Sequence, residues 1–191
     1  MVANEELLMS TDPLPPLAPA ATIVPGNRPR AWFDDGIAFA IEEEARRRAP
    51  TTDSRFRHKV GFAGELATSA YLRGPVNRTI YDDFEGDDGY DVMCTVDGCR
   101  RRVEVKTVHS GELELVVDED GLEAADYFVL CRTTNPTSMV ELVGWADRGM
   151  VIEFGECYPG DGKVRVTPDS LGSFDAVHLS PDRIRNAQVL G

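Results

Sequence analysis

The dipeptide Asp97-Gly98 constrains this chain more than any other feature. It separates two runs of strand-like residues, Asp91–Val96 and Cys99–Val108. Asp-Gly suits a two-residue hairpin turn because both central residues take positive φ, which glycine adopts freely and aspartate tolerates. Such a turn sets the register: Val96 opposite Cys99, Cys94 opposite Arg101, Val92 opposite Val103, and Asp91 opposite Glu104. Pair types alternate from the turn, so Asp91 and Glu104 are expected at a non-hydrogen-bonded position, with Cβ atoms about 5 Å apart. Period two then sets Lys106 on the face of Glu104.

Two carboxylates facing each other on a sheet repel, and something must offset that repulsion. One answer is structural: Lys106 neutralises the pair in a surface salt-bridge cluster. The other is a divalent cation. Mg²⁺ takes one or two carboxylates together with substrate phosphate oxygens and waters. A lysine beside it can hold or activate a water, the minimum equipment for metal-assisted phosphodiester hydrolysis. Val92, Val103 and Val105 mark the opposite face as buried, and Gly89 lets another backbone or a ligand approach closely.

Upstream, the pattern is helical. Asp34 or Asp35 caps a helix over 34–48, with acids early and Arg46, Arg47 and Arg48 in the last turn, in the order the helix dipole favours. Pro50 stops it, and Thr52 or Asp53 opens a longer helix to about Leu72, ended by Gly74-Pro75. Its apolar face is read as Phe56, Ala63, Leu66, Ala67 and Ala70. Glu65 flanks that face, with Gly61 one turn before it; it is either a rim glutamate or a buried one that needs a partner. Arg46, Arg47, Arg48, Arg55, Arg57 and Lys59 stand against a single acid, Asp53, and form the candidate phosphate-contacting patch. Arg102, on the face of Glu104, is a further candidate.

Further strands are expected at 76–80, 113–117, 127–132, 140–145, 150–154 and 163–166, with a short helix opening at Ser180-Pro181-Asp182. Helices followed by a mostly antiparallel run of strands imply a mixed α/β (α+β) layer fold. Residues 1–30 hold six of the twelve prolines and read as an extended or disordered tail, leaving 31–191 as a single domain. The acidic loop 82–91 fails the EF-hand pattern and reads as a solvated loop.

Composition removes whole classes of function. With 33 acidic against 20 basic residues and a net charge of -13, the overall field repels phosphate, so a basic packaging protein is excluded. No apolar run approaches the roughly 20 residues of a bilayer span, and acids stand where a secretory leader carries base. The four cysteines lack the close pairs of a zinc ribbon and read as reduced thiols of a cytoplasmic protein.

The order Glu65, Asp91, Glu104-Val105-Lys106, within "GFAGELATSAYL … GDDGYDV … VEVKT … ADYFVL", resembles the PD-(D/E)XK nuclease superfamily over roughly residues 55–145. Tyr90 stands where the motif's proline would be. The resemblance implies a restriction endonuclease-like fold, a mixed central sheet flanked by helices with the active site where two strands diverge. It implies that Asp91, Glu104 and the Val105 carbonyl bind Mg²⁺, for which Mn²⁺ substitutes, and that Glu65 holds a metal-bound water or a second metal. Lys106 would orient the attacking water or stabilise developing charge. The activity implied is Mg²⁺-dependent cleavage of phosphodiester bonds in DNA by metal-activated water. A catalytically idle binder of nucleic acid or of a partner, on the same fold, is the alternative. Dimers are frequent among relatives that cut two strands, so a homodimer is a further expectation.

Overall fold

The computed structural model describes residues 28–49, 52–77, 89–175 and 178–189. In chain order the elements are β1 (Arg30–Trp32), α1 (Asp35–Arg48), α2 (Thr52–Leu72), β2 (Val92–Val96), β3 (Cys99–Val108), β4 (Leu115–Asp118), β5 (Tyr127–Asn135), β6 (Met139–Asp147), α3 (Arg148–Phe154), β7 (Glu156–Cys157), β8 (Lys163–Val166), β9 (His178–Leu179) and α4 (Pro181–Val189). The fold is a mixed α+β one. A six-stranded sheet runs β2-β3-β5-β6-β1-β9, and a three-stranded sheet runs β4-β8-β7.

The helices begin and end for local reasons. The Asp34 side chain accepts the Ile37 N–H at 3.1 Å and caps α1, while Arg46, Arg47 and Arg48 fill its last turn. Such a cap contributes about 1 kcal/mol. Ile37, Ile41 and Ala45 of α1, and Phe62, Ala63, Leu66, Ala67 and Ala70 of α2, are buried against one face of the large sheet. That face supplies Val103, Val105, Val129 and Cys131. Phe128, Leu130 and Val143 point the other way, into a second core with Leu115, Val117, Val164 and Val166 of the small sheet. The large sheet is thus covered by helices on one side and partly by the small sheet on the other.

The hairpin follows its expected register from Val96↔Cys99 to Val92↔Val103, but the expected Asp91–Glu104 pair does not continue it, because the Asp91 N–H turns to the Val103 carbonyl. Asp97 has φ 50° and Gly98 φ 74°, the two positive values that a type I′ turn requires. The Gly160–Gly162 segment turns between β7 and β8, which pair antiparallel.

Three further expectations are corrected. Residues 150–154 are helical, not extended: Asp147 accepts the Met150 N–H at 2.8 Å and starts α3, and a five-residue apolar run cannot by itself distinguish strand from helix. The strands are mostly antiparallel, as expected; β3 with β5 and β1 with β9 pair in parallel, β4 lying in the β3–β5 crossover. Arg30 belongs to β1, not to the tail, and β1 was absent from the expected strands because three residues carry too little periodicity. Phe56 is half-exposed and meets His109 edge-on at 4.9 Å, outside the apolar face of α2. Of the expected strand at 76–80, Val76 makes a single bridge to Val92, and 78–80 lie outside the described residues. The proline-rich segment 1–27 and the acidic residues 82–88 also lie outside them. Among the described residues, no helix is long and apolar enough to cross a membrane.

Candidate metal and phosphodiester site

β2 ends at Val92, while β3 runs on to Val108, and the residues at this divergence form the candidate site. A continued ladder would bring the Tyr90 carbonyl to the Val105 N–H. The Tyr90 carbonyl instead accepts the Asn77 side-chain amide at 3.3 Å, and Asp91 Oδ2 takes the Val105 N–H at 2.7 Å. The Asp91 backbone is held on both sides, its N–H by the Val103 carbonyl at 2.8 Å and its C=O by the Asn77 N–H at 2.7 Å. Asp91 is therefore positioned by three hydrogen bonds, and its carboxylate replaces a missing strand at the open edge of β3.

Glu104 and Lys106 alternate with the buried Val103 and Val105, so they lie on the face away from α2. The Lys106 ammonium pairs with Glu104 Oε1. Burial works against the charged ammonium, but Glu104, then Asp91 and Asp118, outweigh it and raise the Lys106 pKa above its ordinary value. Lys106 is a cation at neutral pH, suited to holding a negative group in place and unsuited to taking a proton. Asp118 reaches this neighbourhood from the end of β4. No local spacing announced it, because β4 belongs to the other sheet.

α2 crosses the opposite face of β3 at very close range. A Cβ on Gly64 would lie 1.9 Å from Thr107 Oγ1 and 3.3 Å from a Val105 methyl, so only glycine fits there. The next residue, Glu65, is 4% exposed and receives two hydrogen bonds from Arg48, at 2.7 and 2.8 Å. Arg48 also donates to Glu44 at 2.9 Å and covers the Phe62 ring at 5.0 Å. Burial opposes the Arg48 charge, yet Glu65 and Glu44 raise its pKa further. No local pattern signals this bond, because Arg48 stands on α1, 17 residues before Glu65.

The structure therefore brings together Asp91, Glu104 and Lys106, while Glu65 shares its carboxylate with Arg48 in the helical layer. Among the described residues, no three His, Cys, Asp or Glu side chains converge closely enough to share one ion. What remains is a pair of hard oxygen donors, Asp91 and Glu104. The Val105 carbonyl joins them, since by strand alternation it faces the same open edge as its N–H. Two carboxylates and a carbonyl suit Mg²⁺ or Mn²⁺, which complete their shells with water and phosphate oxygens, and do not suit softer metals.

The expected basic patch is largely consumed internally. Arg46 pairs with Glu43, Arg47 with Glu44 at 2.5 Å, and Lys59 with Glu42 at 2.5 Å. Arg102 lies 3.8 Å from Asp126 and donates to the Glu123 carbonyl at 3.3 Å. Arg55 and Arg57 have no ion pair among the described residues. All four cysteines are free thiols; Cys94 and Cys131 are buried, Cys99 and Cys157 exposed. No family model, no curated protein and no solved structure matches this chain.

Proposed function

We propose that this protein is a Mg²⁺-dependent nuclease that hydrolyses phosphodiester bonds in DNA. The observation that carries the reading is the Asp91–Val105 N–H bond at the strand divergence, which holds one carboxylate beside Glu104 and Lys106 at an open sheet edge. Asp91, Glu104 and the Val105 carbonyl would hold the metal, which supplies charge neutralisation at the phosphate and a water made acidic enough to attack near neutral pH. Asp91 is oriented by the backbone, so its carboxylate needs little reorganisation. Lys106, kept cationic by the surrounding carboxylates, orients the phosphate and stabilises the negative charge that grows as the bond breaks. Its present partner, Glu104, is the group a cation would share.

One observation favours a second reading, a non-cleaving nucleic-acid or partner binder on this fold: Glu65 is bound by Arg48 on both oxygens. A cleavage assay separates the two. Wild-type protein with Mg²⁺ or Mn²⁺ is offered linear, circular, single-stranded, flapped and four-way DNA, and RNA. Lys106→Ala should lower cleavage by about 10²–10³-fold or more, as loss of a preorganised charge stabiliser does, with an unchanged circular dichroism spectrum. Wild-type protein inert on every substrate would leave the binder reading.

A further inference from the structure

We infer that the outer end of the large sheet carries a binding platform for single-stranded DNA, built by Trp32, Arg28, Arg30 and Arg132 around Glu141. The inference deepens the nuclease reading by naming the form of the substrate.

Glu141 of β6 is 5% exposed, and three guanidiniums converge on it. Register explains two of them: Arg30 of β1 and Arg132 of β5 flank Glu141 directly on either side. The third, Arg28, comes from the chain just before β1. The three contacts are unequal. Arg132 donates at 2.6 Å, whereas Arg30 stands at 3.5 Å and Arg28 at 3.8 Å. One carboxylate is thus satisfied by one arginine, and two guanidiniums keep most of their donors. Arg28 Nε, itself buried, has no hydrogen-bond partner among the described residues. A cluster of three cations and one anion holds a net charge of +2 in a protein whose total is -13.

This contrasts with Arg46 and Arg47 of α1 and Lys59 of α2, each of which meets an acid. Unspent positive charge of the described surface therefore lies on β1, β5 and β6, apart from that of Arg55 and Arg57 on α2. Phosphate is the natural anion for forked guanidiniums with unspent donors.

The aromatic neighbour selects the class of phosphate. Trp32 lies two residues beyond Arg30 on the same face of β1, since Ala31 between them is buried in the helix-side core. It is 50% exposed, an unusual state for a tryptophan. An exposed indole beside cations is what unpaired bases stack on, while paired bases in a duplex hide their faces. Arg132, level with Val108 on β3, shares the sheet face of Lys106, two residues earlier on that strand. A strand anchored at Trp32 is thereby directed towards the face that bears the candidate site.

The test uses the full chain in EDTA, so that cleavage does not intervene. Oligothymidylate of about 16 nucleotides is titrated while tryptophan fluorescence is followed. Trp145, the second tryptophan, is 7% exposed, so quenching reports on Trp32. Binding should quench fluorescence, and a hairpin duplex should bind more weakly without quenching. Trp32→Leu should lose the quench and weaken binding by about 5- to 100-fold, measured by anisotropy of labelled DNA. Arg28→Ala with Arg30→Ala keeps the 2.6 Å Arg132 bond to Glu141 and so keeps the fold; its salt dependence, as log K against log salt, should flatten by about 1.4. Equal binding of Trp32→Leu, equal quenching by duplex, or binding of oligouridylate alone would overturn the inference. The nuclease reading fails separately: a wild type that binds and quenches but never cleaves with Mg²⁺ removes that reading and leaves the platform.

Discussion

Two charged clusters lie on either side of β3, and they are built to opposite rules. On the helical side, Glu44 and Glu65 meet Arg47 and Arg48, two acids against two bases, with hydrogen bonds of 2.5 to 2.9 Å. On the other side, Lys106 pairs with Glu104 and feels the charges of Asp91 and Asp118, the latter 3.8 Å from Lys163: three acids against two bases. The first cluster is closed: every charge is matched, and both carboxylates are buried. The second carries surplus negative charge at an open strand edge. Balanced buried charge holds elements in place; unbalanced charge at an edge calls for a cation from outside.

The largest effect should come from breaking the closed cluster. Arg48→Ala strands the buried Glu65 carboxylate, and loss of one partner of a buried pair costs about 3–5 kcal/mol. Urea denaturation would show it as a lower midpoint with an unchanged slope. Arg48→Leu combined with Glu65→Leu should recover most of the loss, because an apolar replacement leaves no orphaned charge. A double variant as unstable as the single one would mean that the pair does more than hold α1 to α2.

Under the proposed reading, a divalent cation added to the open cluster should stabilise the fold. Mg²⁺ at about 100 times its dissociation constant contributes about 2.7 kcal/mol if it binds only the folded state. The Tm of the wild type should rise accordingly, and Asp91→Asn should blunt that rise. An equal rise in both proteins would place the cation elsewhere.

The clusters should also part company in acid. Burial works to raise the Glu44 pKa, but the hydrogen bonds and charges of Arg47 and Arg48 prevail and hold it below the ordinary 4.5. A depressed carboxylate contributes stability that is complete above its unfolded pKa and lost as pH falls through its folded one. Tm measured between about pH 6 and 3 should fall in its lower part, and Glu44→Gln should flatten that limb. A limb unchanged in the variant would assign the acid sensitivity to other carboxylates. The smallest effect is expected at Asp118, whose 54%-exposed side chain neighbours Lys163 at 3.8 Å. Asp118→Asn should leave stability within about 0.5 kcal/mol while weakening the Mg²⁺-induced rise in Tm.

Legibility from sequence divides along the same line as the clusters. The pairing from Val96↔Cys99 to Val92↔Val103, and the shared face of Glu104 and Lys106, were readable because a two-residue turn propagates one register down a hairpin, whereas the place of Asp91 beyond the ladder was not. The α1 arginines were misread for the converse reason. Their charge was visible, but Arg46 and Arg47 turn back to acids three residues earlier on α1, and Lys59 reaches across to Glu42. Charge runs say how much charge is present and nothing about which partner takes it.

The amino-acid order alone determined the hairpin, the caps and limits of α1 and α2, and the common strand face of Glu104 and Lys106. Each depends on hydrogen bonds and steric rules that act over a few residues. Only the tertiary structure decided that Arg48 claims Glu65, that Asp118 joins Lys106, and that three arginines share Glu141 below an exposed Trp32. Those contacts link elements far apart in the chain, and the choice among partners of equal charge is made by layer packing and sheet order, which no local pattern encodes.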